Sequence, residues 1–380
     1  MNEPRRYDRR LARRPQTVVV QPTSFCNLDC TYCYLPHRDR RNHMTVEVAS
    51  AVADSLAEFA GRDPDRPLDV VWHAGEPLTL GVRRFAELLA PFEPLRRAGL
   101  VHHYVQTNAT LVTDAWCDFL TAHRFRVGVS IDGPATLNAQ RIDRRGKAAF
   151  DRIVKGIARL RAAGIAFSVI AVVTTDSIGH PEELLEFLAR LGCHSIGINI
   201  EEAEGISLTR PLPTIEQAGR FWRRTIAWSR LNPAPSVREL ARLGDYLHTL
   251  RTGEQADRSA FLIDPIPTIS TTGDVVLLSP ELAGVSAPDY DDFRAGNVLR
   301  QSLASMLDDA DRLRYVDEFL TGLERCEATC QFFDFCRGAQ AGNRYFENGR
   351  LDTTETNYCR VSRQALITAL SDTVREERAA

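Results

Sequence analysis

The sequence predicts an α/β protein built on a parallel sheet, followed by a smaller thiol-rich C-terminal domain. Three observations predict it. Apolar strand candidates alternate with helical patterns from residue 17 to about residue 200. Three cysteines fall within eight residues just past the first strand candidate, at Cys26, Cys30 and Cys33. Four more stand near the other end, at Cys326, Cys330, Cys336 and Cys359.

A chain of 380 residues exceeds the usual size of one compact domain. At 44% hydrophobic and 26% charged residues its composition is that of an ordinary globular protein. The formal net charge of −3 gives no general argument for binding nucleic acid or an anionic membrane. No apolar run approaches the ~18 residues that a membrane span needs. The N-terminus is rich in Arg and lacks an apolar signal core, so a cytoplasmic chain is expected. Nine cysteines in such a chain point to metal or redox use rather than to disulfides.

In order along the chain, residues 1–16 carry Arg5, Arg6, Arg9, Arg10, Arg13 and Arg14 with little apolar content and read as a solvated basic tail. Strand candidates follow at 17–22, 68–73, 101–106, 126–131, 165–173 and 195–200. Helical patterns at 45–60, 82–98, 113–123, 147–163 and 181–191 alternate with them. Strands alternating with helices of this length imply βαβ units and a parallel sheet. Residues 206–256 read as helices, punctuated by Pro211, Pro213, Pro233 and Pro235, with Trp222 and Trp228 in the core. A second domain is expected from about 257. There Thr272-Gly273-Asp274 joins two apolar runs as a hairpin, and a helix is expected over about 299–324.

The chemistry starts at Cys26-Asn27-Leu28-Asp29-Cys30-Thr31-Tyr32-Cys33. Cluster irons take cysteine thiolates, so three thiols can hold three irons of a cubane and leave the fourth open to a small chelator. The plain alternative is a zinc knuckle completed by His37 or His43, since structural zinc takes four ligands. The CxxxCxxC spacing, with Tyr32 before the third Cys and a strand just before the loop, resembles the radical S-adenosylmethionine (SAM) enzymes. That resemblance implies a [4Fe–4S] cluster whose open iron is chelated by SAM, and a partial (β/α)6 barrel. It extends over most of residues 17–200. His73-Ala74-Gly75-Glu76-Pro77 resembles the family's Gly-Gly-Glu-Pro, with Ala74 for the first Gly. Gln106-Thr107-Asn108 and Ser130-Ile131-Asp132-Gly133 resemble two further motifs at strand ends. By the resemblance, Tyr32, Gly75, Glu76, Asn108, Ser130, Asp132 and Arg141 contact SAM, with Arg144 the rival for the carboxylate-pairing Arg.

The C-terminal cysteines, with three, five and twenty-two residues between them, resemble the SPASM extension of peptide-modifying radical SAM enzymes. Four thiols complete the ligand set of one auxiliary [4Fe–4S] cluster; a structural zinc site is the alternative. A full SPASM domain carries two auxiliary clusters. The further cysteines it uses, four residues after the third Cys and just after the hairpin, are here Gln340 and the segment Leu278-Ser279-Pro280-Glu281. The resemblance thus implies one auxiliary cluster. Glu201-Glu202-Ala203-Glu204-Gly205 reads plainly as a solvated acidic loop, but it also resembles a segment of maturases that cross-link peptides into small cyclophanes. Glu201 and Glu281 are then candidate catalytic acids.

The organisation expected is a tail over 1–16, a barrel with flanking helices over 17–256 and an auxiliary-cluster domain over 257–380. The function expected is cross-linking of a ribosomally made precursor peptide, with a flavodoxin- or ferredoxin-type electron donor. Formylglycine formation on a sulfatase, or thioether formation on a peptide, is the alternative.

Overall fold

The structure, a computed structural model, describes residues 6–205, 208–252 and 262–379. Seven strands run parallel, each hydrogen-bonded to the next in the chain: β1 (Thr17–Val20), β2 (Leu68–Trp72), β3 (Val101–Thr107), β4 (Arg126–Ser130), β5 (Phe167–Val173), β6 (Ser195–Ile200) and β7 (Ser236–Val237). Helices make the crossovers that parallel pairing requires. They are α1 (Val46–Arg62), α2 (Gly81–Leu89), α3 (Glu93–Arg97), α4 (Asp114–Ala122), α5 (Phe150–Ala162), α6 (Pro181–Arg190) and α7 (Ile215–Leu231), with α8 (Arg238–Thr252) after β7. Side chains that can accept the first free N–H groups mark several starts. Thr45 accepts from the Val48 N–H, Thr113 from that of Trp116, and Thr214 forms a reciprocal cap with Gln217.

Alternate residues of β3 and β5 are fully buried against the helices, while the others face the barrel interior. The outer layer is aromatic between β2, β3 and α2–α4. Trp72 meets Phe85 at 5.0 Å and Phe92 at 5.4 Å, ring centre to ring centre.

The C-terminal part continues the same sheet. β8 (Thr268–Ile269) lies parallel to β1, and β9 (Asp274–Val276) and β10 (Arg294–Asn297) extend it antiparallel. The result is one ten-stranded mixed sheet in the order β10-β9-β8-β1-β2-β3-β4-β5-β6-β7, a partial barrel with a hairpin on one edge. The expected boundary at 256/257 lies outside the described residues. Helices α9 (Leu303–Asp308), α10 (Arg314–Thr329), α11 (Phe333–Cys336), α12 (Ala341–Asn348) and α13 (Ala365–Ala379) complete the fold.

Three expectations change. The helix over 82–98 is broken into α2, a 3-10 turn at Ala90–Phe92 and α3, because Pro91 and Pro94 cannot donate within a continuous helix. The stretch 299–324 is likewise two helices around a 3-10 turn at Ala310–Arg312. The tail is not solvated from Arg6 onward. Tyr7 and Leu11, one helical turn apart, are each 1% exposed, and Ala12 donates its N–H to the Ile263 carbonyl at 3.0 Å. The Arg6 guanidinium grips both carboxylate oxygens of Glu324 at 2.7 and 2.9 Å and reaches Asp317 at 2.7 Å, while Arg10 pairs with Glu327. Acids along α10 account for Arg6 and Arg10, while Arg13 pairs with Asp8 and Asp308.

Candidate active site

The thiol loop leaves β1 and is clamped on two sides. The Cys26 N–H donates to the Arg38 carbonyl at 2.9 Å, Asp29 to Ile142 at 2.7 Å and Thr31 to Gln140 at 3.1 Å. Cys26, Cys30 and Cys33 all stay partly open to solvent as free thiols. The Leu28 N–H points at Cys26 Sγ, 3.4 Å away, which suits a thiolate bound to iron. His43 turns its Nδ1 to the Thr23 hydroxyl at 3.2 Å rather than to the thiols. Among the described residues no three His, Cys, Asp or Glu side chains gather closely enough to hold a single metal ion.

The ends of β2, β3 and β4 surround this loop. Gly75 sits at φ +76°, where a Cβ would lie 2.4 Å from the Thr23 carbonyl oxygen, so only glycine lets the two loops touch. Ala74 also holds a left-handed φ of +68° despite its Cβ. Glu76 is 2% exposed and turned inward. Its carboxylate accepts from Thr107 Oγ1 at 2.7 Å, the Asn108 N–H at 2.8 Å and the Leu78 N–H at 3.1 Å. Burial raises it to about 7 against those hydrogen bonds. Glu76 thereby fixes Asn108, whose amide donates to Asn27 Oδ1 at 3.0 Å and approaches Cys26 Sγ at 3.9 Å.

Asp132 departs from the expected direct contact with SAM. Its two oxygens accept from Arg141 Nε and a terminal Arg141 nitrogen at 2.9 and 2.8 Å, from the Val172 N–H at 2.8 Å, and from the Tyr32 hydroxyl. Four donors fill the acceptor capacity of a carboxylate. Asp132 therefore locks Arg141 and Tyr32, and acts on any ligand through them. Arg141 is 6% exposed; burial opposes its charge, but Asp132 more than restores it, so its pKa lies above the ordinary value. Among the described residues no hydrogen bond occupies its second terminal nitrogen, which can meet a carboxylate. The rival Arg144 is exposed; it reaches the backbone carbonyls of Arg38 and Cys26 and lies over the Phe25 ring. Ser130 accepts from Gln106 Nε2 at 2.8 Å and keeps its own hydroxyl proton to donate.

Cys326, Cys330, Cys336 and Cys359 ring a cavity of about 330 Å³. That layout suits donors spread around a multi-iron body. Beside it lies Arg344, fully buried, with a terminal nitrogen 3.4 Å from Cys326 Sγ and 2.6 Å from the Gly338 carbonyl oxygen. A buried cation offsets the negative charge of four thiolates. Thr356 Oγ1 donates to Cys359 Sγ at 3.2 Å. The hydrogen bond from Cys336, stronger than the opposing burial, lowers Cys359 to about 6. Cys117 and Cys193 are buried in the barrel.

The sequence profile of the Radical SAM superfamily matches residues 20–188. An uncharacterized protein of Synechocystis sp. is 33% identical over 356 residues, 90% of this chain and 88% of that one. The chain belongs to the radical SAM superfamily. A serine-type anaerobic sulfatase-maturating enzyme of Bacteroides thetaiotaomicron is 29% identical over 190 residues, 48% of this chain and 45% of that one. The match spans about half the length of that enzyme. The structure of native anSMEcpe with bound AdoMet and Cp18Cys peptide superposes with a TM-score of 0.74 at 19% identity, over 96% of this chain and 99% of that one. The likeness shows the fold. A radical SAM enzyme works with a [4Fe–4S] cluster and SAM, and the donor sets described above fit both.

This radical SAM chain carries a carboxylate network beside its thiol loop that spacing did not reveal. Ser279, just after the hairpin, accepts from the Gly342 N–H at 3.2 Å, next to Gln340. The two segments where a further auxiliary cluster's cysteines were sought thus touch through a hydroxyl. Ser279 Oγ donates to Glu281 Oε2 at 2.6 Å. The Asn343 amide donates to both Glu202 and Glu204, the latter at 2.8 Å. Burial raises Glu202 to about 8 and lifts Glu204 and Glu281 as well. Tyr34, two positions before Pro36 and next to Cys33, is raised by burial and then by Glu281 and Cys33, and its hydroxyl lies 3.5 Å from His73 Nε2. Glu201 is separate: 3% exposed, it pairs with Arg210, and its Oε2 has no hydrogen-bond partner among the described residues. Sequence reasoning found the glutamates but not Asn343, Tyr34 or Arg344. An Asn or Arg in a C-terminal helix carries no signal of which distant acid or thiol it meets.

Proposed function

We propose that the chain is a peptide maturase that joins an aromatic ring to the Cβ of a nearby residue in a ribosomally made precursor. Cys26, Cys30 and Cys33 hold the SAM-binding cluster, and Cys326, Cys330, Cys336 and Cys359 hold one auxiliary cluster. When bound, the first cluster with SAM supplies a carbon radical able to take a hydrogen atom from an unactivated C–H bond, and a fully ligated second cluster suits electron transfer.

The protein's own groups bind, orient and move a proton. Arg141, locked by Asp132, offers a nitrogen to the SAM carboxylate, while Ser130 and Asn108 offer donors from neighbouring strand ends. Glu76 and Gly75 keep the loops in register. Each crosslink removes two hydrogens from the peptide, one as an atom and one as a proton plus an electron. The proton goes to the Glu202/Glu204/Glu281 network, not to Glu201, which faces Arg210. An external donor of flavodoxin or ferredoxin type supplies the reducing electron for SAM cleavage.

The single observation carrying this reading is the Ser279–Glu281–Gly342 contact, which fills with carboxylates and a hydroxyl the place where a second auxiliary cluster would need thiols. Mass spectrometry of a precursor encoded beside this chain and co-expressed with it tests the reaction. A product lighter by two hydrogens per ring, with an aromatic–Cβ bond, is expected. The similarity to sulfatase-maturating enzymes favours a second reading, formylglycine formation. Conversion of Ser or Cys in the product to an aldehyde would establish that reading instead.

A further inference from the structure

The barrel has a second opening, at the end opposite the thiol loop. Tyr104–Gln106 in the second half of β3, the first residues of β4 and β5, and the corners that lead into those two strands line a recess of about 800 Å³. That is the size of a small-molecule site. Val71, Leu120, Ile165 and Ile170 give it apolar walls, and Gln106 forms its inner end. Arg124, Arg126 and His194 stand at its rim, and no Asp or Glu is among the residues that line it. Arg126 bonds the Tyr104 hydroxyl, whose ring it also covers at 5.1 Å. Asp69 neighbours that same hydroxyl from outside the lining. The side chains of Arg124 and His194 have no ion pair or hydrogen bond among the described residues.

The backbone at Arg124 sharpens the case. Four successive helices, α3 to α6, end by turning into the next strand through one left-handed residue. Three of those residues are Gly99, Gly164 and Gly192, at φ +75°, +68° and +80°. The fourth is Arg124, at φ +53°. The turns are alike: the N–H of Gly99, Arg124, Gly164 and Gly192 each returns to a carbonyl three residues earlier. Glycine is the residue this conformation favours, and a Cβ there is strained. The corner at Gly164 also lines the cavity, but at Arg124 the chain accepts the strain and gains a guanidinium there.

We infer that this cavity binds a small anion, a carboxylate or phosphate on a compact apolar body, with the body against the face of β3, β4 and β5 that lines the cavity and the charge on the Arg124 guanidinium. An unpaired guanidinium at the mouth of an apolar, acid-free cavity selects that chemistry, since it can make two parallel bonds to either oxyanion. Gln106 links this cavity to Ser130 at the SAM site, but the inference does not rest on the SAM and peptide chemistry proposed above.

The test uses the full-length, cluster-reconstituted protein with 4-phenylbutyrate, phenylpropyl phosphate, 4-phenylbutylamine and acetate as probes, measured by calorimetry. The phenyl-bearing anions should bind, the better of them naming the headgroup. The amine and acetate should bind at least tenfold more weakly, for want of charge or body. Arg124→Gly should weaken the better anion about tenfold or more, the loss of one charge-assisted contact, while its unfolding midpoint equals or exceeds the parent's because the strain is gone. Equal binding of anion and amine, unchanged affinity in Arg124→Gly, or no anion binding to the parent would each overturn the inference.

Discussion

At the scale of single residues, the site depends on groups that hold other groups. Asp132 shows it best. Replacing it with Asn leaves Arg141 a buried charge without its counter-ion, which costs about 3–5 kcal/mol. The denaturation midpoint should fall accordingly, and SAM affinity with it. Replacing Arg141 by Met in the same chain should recover much of the stability but none of the SAM binding. Recovery of both would mean that Arg141 has no ligand role. Ala74→Gly should go the other way. It relieves a Cβ held at φ +68° and should raise stability by about 1 kcal/mol, with SAM cleavage unchanged. The carboxylate network sets a pH dependence. Glu202 moves from an ordinary 4.5 to about 8 on folding. Between those values the folded chain binds more protons than the unfolded one, so this group's contribution falls as pH rises through the window. The unfolding midpoint should drop from pH 6 to pH 8, and less so in Glu281→Gln, which removes the neighbouring acid that helps burial to raise Glu202. A parent and variant with parallel pH profiles would contradict the assignment.

At the scale of elements, the strands were the most legible. The apolar runs expected at 68–73, 101–106 and 165–173 became β2, β3 and β5 within a residue or two, because each must bury a face against the helices. The thiol spacings and strand-end motifs were readable for the same reason: they are local in sequence. What stayed hidden was long-range. Nothing in residues 6–16 announces that Arg6 and Arg10 meet acids more than three hundred positions away on α10, or that Tyr7 is core. That segment clasps the helix bearing Cys326. Tyr7→Ala should cost about 3 kcal/mol or more, as large aromatic truncations in a core do. Arg6→Ala, whose ion pairs are partly exposed, should cost less than about 1 kcal/mol. Chemical denaturation of both variants checks the ranking; a larger loss for Arg6→Ala would make the clasp electrostatic.

At the scale of the whole molecule, one mixed sheet joins the barrel to the C-terminal thiols, with β8 pairing directly with β1, the strand that delivers the thiol loop. The presence of both thiol sets was legible in sequence. The meaning of the missing cysteines was only half legible, since sequence shows an absence and not what fills it. The fold supplies the rest: Ser279, Glu281 and Gly342 meet where thiols would otherwise converge, and Asn343 ties Glu202 and Glu204 to the same place. The central claim is therefore a count of clusters, and iron analysis of the anaerobically reconstituted protein tests it most directly. Two [4Fe–4S] clusters give about eight irons per chain, and replacing Cys326, Cys330, Cys336 and Cys359 together should leave about four, still able to cleave SAM. About twelve irons per chain, or loss of SAM cleavage only when the C-terminal thiols are removed and not when Cys26, Cys30 and Cys33 are, would contradict it.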